Sequence, residues 1–164
     1  MRSRVYWDSC CFIGLLQDEK DKAPALADLA QKAAADELVI VTSALAIAEV
    51  CKLPDTGSQP EEQTKKVLEF FENPYIVVRT LDRAIAERAN RIARDTGIKP
   101  LDAVHIATGI VAGCEVFYTY DGLKKGKKGL LQYSGAPWLQ PMRIEQPPDP
   151  AKGTMFEAGP SEYH

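Results

Sequence analysis

The sequence predicts an α/β fold built around a mostly parallel sheet of four to five strands. Short β-branched and aromatic runs alternate with helical stretches along the chain. Two of those runs, "LVIV" (38–41) and "YIVV" (75–78), are apolar throughout. That is the pattern of central strands covered on both faces. A length of 164 residues, with 45% hydrophobic and 26% charged residues, suits one globular core without staples.

The elements follow in order. "RVYW" (4–7) is the first strand and ends at Asp8. "CFIGLLQ" reads as a short helix. Residues 23–37 are rich in Ala and Leu at helical spacing, with Pro24 suited to a first turn. "LVIV" is the second strand. Thr42 and Ser43 then offer an N-cap for "ALAIAEVCKL". Residues 53–61 form a loop by their Pro, Gly, Asp and Ser content. Residues 61–72 read as a helix whose first turn carries Glu61 and Glu62, the favoured sign for its dipole. "YIVVRT" (75–80) is the third strand. Residues 81–97 are an amphipathic helix with Leu81, Ile85, Ala89 and Ile92 as its apolar stripe and Gly97 as its stop. Residues 99–113 form another helix with Pro100 in its first turn. "EVFYT" (115–119) is the fourth strand and "MRIE" (142–145) a fifth. Residues 1–145 make one domain. Residues 146–164, rich in Pro and Gly, read as a flexible tail.

Composition narrows the function classes. No stretch approaches the ~20 apolar residues of a membrane helix. The N-terminus carries Asp8 inside its apolar part and no small-residue cleavage site, so a cytoplasmic protein is expected. The four cysteines form no C-x-x-C pair, and one of the two histidines is the last residue. A Cys/His zinc site is disfavoured, and reduced, mostly buried thiols are expected. A net charge of −3 argues against a large non-specific nucleic-acid binder. No G-x-G-x-x-G follows the first strand, which disfavours a Rossmann nucleotide site.

Four acids stand in unusual places. Asp8 and Asp121 follow strands at the sheet's carboxyl edge, where such folds place their sites. Glu49 is the only charge in "SALAIAEVC", and Asp102 the only acid in "KPLDAVHIATGIVAG". Each has an ordinary explanation. Asp8 could cap the next segment, Glu49 could face water, Asp102 could favour a helix dipole, and Asp121–Gly122 is a common turn pair. Together, four carboxylates in apolar or strand-end settings would repel unless a cation collects them. Hard divalent ions take such oxygen ligands.

The stretches "VYWDSCCFIGLL", "TSALAIAEV", "PLDAVHIATGI" and "VFYTYDGLKK" resemble, in order, the four signature stretches of the PIN-domain ribonucleases. The resemblance covers residues 4 to about 145. It implies a three-layer sandwich with a central, mostly parallel sheet, dependence on Mg²⁺ or Mn²⁺, and hydrolysis of single-stranded or looped RNA. By it, Asp8, Glu49, Asp102 and Asp121 match the family's catalytic and metal-binding acids, and Ser9 and Thr119 its small hydroxyl positions beside the first and last acid. Many small members are VapC-type toxins that pair with an antitoxin and form homodimers, so an antitoxin partner and a homodimer are expected. The residues alone do not place Asp102 at the site edge; the family pattern does.

Supporting residues remain open to two readings each. His105 lies one turn after Asp102; a buried structural histidine is favoured over a catalytic one. Lys124 and Lys125, with Lys127 and Lys128, make a charge run that ordinarily is a solvated face, yet could contact the RNA backbone. Competing functions are a phosphatase with a strand-end Asp nucleophile, a housekeeping PIN nuclease in RNA processing, and a non-catalytic metal-bound module that binds RNA or a partner. The phosphatase chemistry commonly wants a second acid two residues on, where this chain has Cys10.

Overall fold

The computed structural model describes residues 1–51, 59–122, 126 and 129–153. Five strands form one sheet: β1 (Ser3–Trp7), β2 (Leu38–Ser43), β3 (Ile76–Arg79), β4 (Val116–Tyr118) and β5 (Arg143–Glu145). Their order is β3-β2-β1-β4-β5, and every neighbouring pair is parallel. The expected α/β sandwich is therefore present, with all five strands running one way.

Strand alternation divides the core into two halves. Tyr6, Val41, Phe117 and Ile144 face one side, where α5 (Arg83–Thr96) and α6 (Pro100–Val111) cover them with Ile85, Ile92, Ala103 and Ile106. Val5, Trp7, Ile40, Ile76 and Val116 face the other side. There α1 (Ser9–Leu16), α2 (Ala23–Ala34), α3 (Ala44–Glu49) and α4 (Pro60–Phe71) bring Phe12, Leu26, Leu29, Ala46, Val67 and Phe71. The result is a helix–sheet–helix stack with β1 at its centre.

Several local expectations need correction. "YIVV" is an edge strand, not a central one: β3 pairs only with β2, and Val77 is 42% exposed. Its β-branched composition suits any half-buried pleated surface, so composition did not separate edge from centre. The central strands are β1, β2 and β4. Leu81 is no part of the α5 stripe; it lies before the helix and is 51% exposed. Asp82 sets that start by accepting the Ile85 N–H at 2.9 Å. Ser43 caps α3 by accepting the Leu45 N–H, whereas the Thr42 hydroxyl donates to the Trp7 carbonyl and ties β2 to β1. Helix α3 ends at Glu49, four residues before its expected end. Gly97 stops α5 with a left-handed φ of 75°, as expected. All four cysteines are free; Cys11 and Cys114 are buried, and Cys51 is exposed.

Within the expected tail, Pro147 is buried and α7 (Pro150–Gly153) lies against α2. Residues 154–164 lie outside the described residues, as do 52–58 of the expected loop. Among the described residues, no helix is long and apolar enough to cross a membrane.

Phe117 stacks on Tyr6 with ring centroids 4.8 Å apart, at the middle of the sheet. Phe117→Ala is expected to cost about 3–5 kcal/mol. Urea unfolding should show a lower midpoint with an unchanged slope.

Candidate functional site

In an open parallel sheet the ligand crevice lies outside the carboxyl ends of the strands, where the strand order reverses. Here the chain builds outward from β1 to β3, then returns to place β4 on the other side of β1. The reversal falls between β1 and β4. Asp8 leaves β1 at that point, and Thr119 and Asp121 leave β4 beside it.

Asp8 stands at the N-cap position of α1, yet its side chain makes no capping bond. Its carboxylate instead accepts two hydroxyls. Ser9 Oγ donates to Oδ1 at 3.1 Å, and Thr119 Oγ1 donates to Oδ2 at 2.9 Å. Asp8 is 8% exposed, so these bonds replace much of the water an exposed carboxylate would have. Thr119 is fully buried and also accepts the Asp121 N–H at 3.1 Å. One hydroxyl thus joins the two strand-end acids.

Asp121 is a turn residue with a second attachment. Its Oδ2 accepts the Leu130 N–H at 3.1 Å, where the 3₁₀ turn Leu130–Tyr133 begins. The approach requires glycine at 129. A Cβ there would stand 2.3 Å from the Gly122 nitrogen and 2.6 Å from Asp121 Oδ1.

The direction of α6 explains how Asp102 reaches this edge. At its C-terminal end, the Ala112 carbonyl accepts Arg4 Nη1 at 2.8 Å, beside the start of β1. Twelve residues of helix span about 18 Å. The first turn of α6 therefore lies at the opposite, carboxyl edge. There Asp102 is half-buried, and its carboxyl is held above the ordinary 3.8, first by burial and then by the charges of Asp8 and Asp121. Glu49 adds a smaller push in the same direction, and His105 opposes it.

Glu49 does not face only water. Its Oε1 is hydrogen-bonded to His105 Nε2, and His105 Nδ1 is 2.6 Å from Tyr6 Oη. Tyr6 Oη also accepts the Ser43 N–H at 3.1 Å. Burial, then the Asp8 charge, raise the Tyr6 phenol well above its ordinary range, so it keeps its proton. A lone pair on Nε2 would face the carboxylate, so Nε2 carries a hydrogen and donates to Glu49 Oε1. The histidine is 1% exposed and is held in one orientation from both sides.

A depression of about 380 Å³ opens on two of these acids, Asp102 and Asp121. Asp102, Asp121, Lys99, Gly97, Gln132 and Tyr133 are among the residues lining it.

Residues 5–123 match the PIN domain family. The chain belongs to that family.

Among curated proteins no match was found. Solved structures with the same fold include a toxin–antitoxin complex from Klebsiella pneumoniae, with a TM-score of 0.57 and 18% identity over 88% of this chain and 98% of that one. VapC20 of Mycobacterium tuberculosis, described as a sarcin-ricin loop cleaving toxin, gives 0.57 and 16% identity over 72% of this chain and 90% of its own. VapBC2 of Rickettsia felis, bound to a fragment of its promoter DNA, gives 0.59 and 12% identity over 87% of this chain and 98% of its own. At such identities the likeness is one of fold.

This PIN domain carries its sequence-flagged acids in unequal ways. Asp8, Ser9, Thr119 and Asp121 form one hydrogen-bonded group. Asp102 joins them through the charges of Asp8 and Asp121 and through the depression that it shares with Asp121. Glu49 is bonded to His105 and acts on Asp102 only through its charge. Among the described residues, no three His, Cys, Asp or Glu side chains converge closely enough to hold an ion as they stand. The donor chemistry nonetheless fits a hard cation that keeps much of its water. The acids present oxygens only, and the repulsion on Asp102 is of the sign a cation relieves. Lys124 and Lys125, with Lys127 and Lys128, lie outside the described residues. Sequence reasoning did not flag Tyr6, Lys99 or Tyr133. Only Tyr6 carried a signal: a phenol inside an apolar central strand must find a partner.

The sign of the Asp102 shift gives a test. A carboxyl held high when folded costs stability once the unfolded chain ionises near 3.8. Asp102→Asn should therefore raise the thermal midpoint at neutral pH without divalent ions, and the gap should close as pH falls below that value. Added Mn²⁺ should raise the midpoint of the unsubstituted protein more than that of the variant.

Proposed function

We propose that this PIN domain is a metal-dependent endoribonuclease that hydrolyses RNA phosphodiester bonds, acting as the toxin of a VapBC-type pair. The observation that carries the reading is the group of acids at the switch point: Asp8 and Asp121 joined by a buried hydroxyl, and Asp102 held above its ordinary range by burial and by their charges. The fold neighbours described as a toxin–antitoxin complex and a sarcin-ricin loop cleaving toxin support it. On this reading the partners are RNA, an antitoxin protein and a second copy of the chain, and the setting is the cytoplasm.

Asp8, Asp102 and Asp121 would hold Mg²⁺ or Mn²⁺, directly or through water. When bound, the ion would acidify a coordinated water and offset charge on the phosphodiester. The chain's own residues do the rest. Ser9 and Thr119 fix the Asp8 carboxylate so that its position does not depend on a flexible loop. His105 Nε2–H occupies Glu49 Oε1, which leaves Oε2 to take a proton from the attacking water. Tyr6 holds the imidazole in the orientation that makes this possible. Lys99, at the rim of the depression, offers a cation to the substrate's backbone. The phosphatase reading lacks its second acid: the Cys10 thiol is engaged with Thr119 Oγ1 at 3.5 Å and the Tyr120 N–H at 3.4 Å.

Purified protein is incubated with structured RNA and with a phosphate-ester chromogen, in Mg²⁺, Mn²⁺ or EDTA, beside Asp8→Asn. RNA cleavage is expected only with a divalent ion and only by the unsubstituted chain. Cleavage that survives EDTA or the substitution would sink the mechanism. Hydrolysis of the chromogen alone would point to the phosphatase, and metal-dependent binding without cleavage to a non-catalytic module.

The histidine has its own signature. His105→Leu removes the donor to Glu49 and should lower kcat about 10- to 100-fold with little change in KM. His105→Gln keeps an N–H near the Nε2 position and should recover much of that loss. Equal rates for the two variants, at equal thermal stability, would reduce His105 to packing.

A further inference from the structure

We infer that single-stranded RNA leaves the acid group along a basic, aromatic trough beside the C-terminal half of α5, over Tyr133 and Trp138 to Arg88 and Arg91. The inference rests on the ribonuclease reading and extends it to the path that the substrate takes over the surface.

A second depression, of about 450 Å³, is lined by Arg88, Arg91, Ile92, Asp95, Thr96 and Trp138. It meets the acid-lined depression at two points. Thr96 of the second adjoins Gly97 of the first. The Trp138 ring of the second packs edge-on to Tyr133 of the first, with centroids 6.0 Å apart. The two depressions therefore lie side by side. From Arg88 to Thr96 the helix runs about 12 Å, long enough to carry a strand well clear of the acids.

The chemistry along it is what a flexible polyanion needs. Among the described residues, no carboxylate forms an ion pair with Arg88, Arg91 or Lys99. The one acid in the second depression, Asp95, is bonded to Arg94 Nε at 2.8 Å, and Arg91 lies in its field without bonding to it. Free guanidinium groups bind phosphate and stack on bases, and aromatic side chains offer base-stacking surfaces without reading sequence. The chain carries a net charge of −3, so a run of unpaired cations next to the acids is a local arrangement against the overall sign. A two-fold contact between copies centred here would set Arg88 and Arg91 against their own counterparts, which disfavours a second chain as occupant.

The test uses the full chain with Asp8→Asn, so that RNA stays intact, and fluorescence anisotropy with a short labelled single-stranded RNA. Trp138→Ala should weaken binding roughly five- to hundredfold. Arg88→Ala with Arg91→Ala should weaken it further at low salt. The double variant should also lower the slope of log affinity against log salt by about 1.4, at roughly 0.7 per lost phosphate contact. In chains that keep Asp8, the double variant should cut long single-stranded RNA more slowly while its rate on a dinucleotide is unchanged. Unchanged RNA affinity and salt slope would overturn the trough. A changed particle mass by light scattering with unchanged RNA affinity would also overturn it, and would mark the face as a contact between copies. If the chain with Asp8 cuts no RNA yet the variants still weaken binding, the trough stands and the nuclease reading falls.

Discussion

The Thr119 hydroxyl is the hinge on which the candidate site depends. It donates to Asp8 at the end of one central strand and accepts the Asp121 backbone N–H just past the end of the next. Neither acid is then free to relax away from the other. The bond is possible only because β1 and β4 are paired in register, Trp7 against Tyr118, so that both strands end at the same height. A parallel sheet with its reversal elsewhere would separate these groups. The fold's topology and the acid chemistry are therefore one constraint.

That constraint works against stability. Asp102 is brought, half-buried, into the field of Asp8 and Asp121, and its charged form is disfavoured. Nothing in the hydrophobic packing needs a carboxylate there. Such a group persists where function selects it over stability. The opposite strategy holds Glu49: its partner imidazole is buried, fixed in orientation, and backed by a phenol that keeps its proton. One side of the site is strained by like charge, and the other is tightly satisfied.

Much of this was legible in the chain, for unequal reasons. The strands were readable because β-branched runs stand between helices with clear punctuation, as Pro100 and Gly97 show. What failed were properties that depend on a neighbour. "YIVV" has the composition of a covered strand, but only the sheet order shows that nothing lies beyond it. Leu81 continues the apolar spacing of α5, but Asp82 caps the helix after it. Asp8 and Asp121 could be found from strand ends. Asp102 could not, because its height is set by the far end of its helix, where Arg4 meets Ala112. The Glu49–His105–Tyr6 chain joins residues 56 and 99 positions apart, and no local pattern encodes it.

The sequence separation across the Asp8–Thr119 bond also governs when the site can exist during synthesis. The two residues are 111 positions apart. At translation rates of about 5–20 residues per second, a nascent chain spends several seconds with its first acid made and the strand that completes it still missing. No shorter fragment can assemble the group, because β4 is the last central strand to be made. Whatever chemistry these carboxylates perform is thereby withheld from the ribosome-bound chain until nearly the whole domain has emerged. The order of the strands acts as a timer as well as a scaffold.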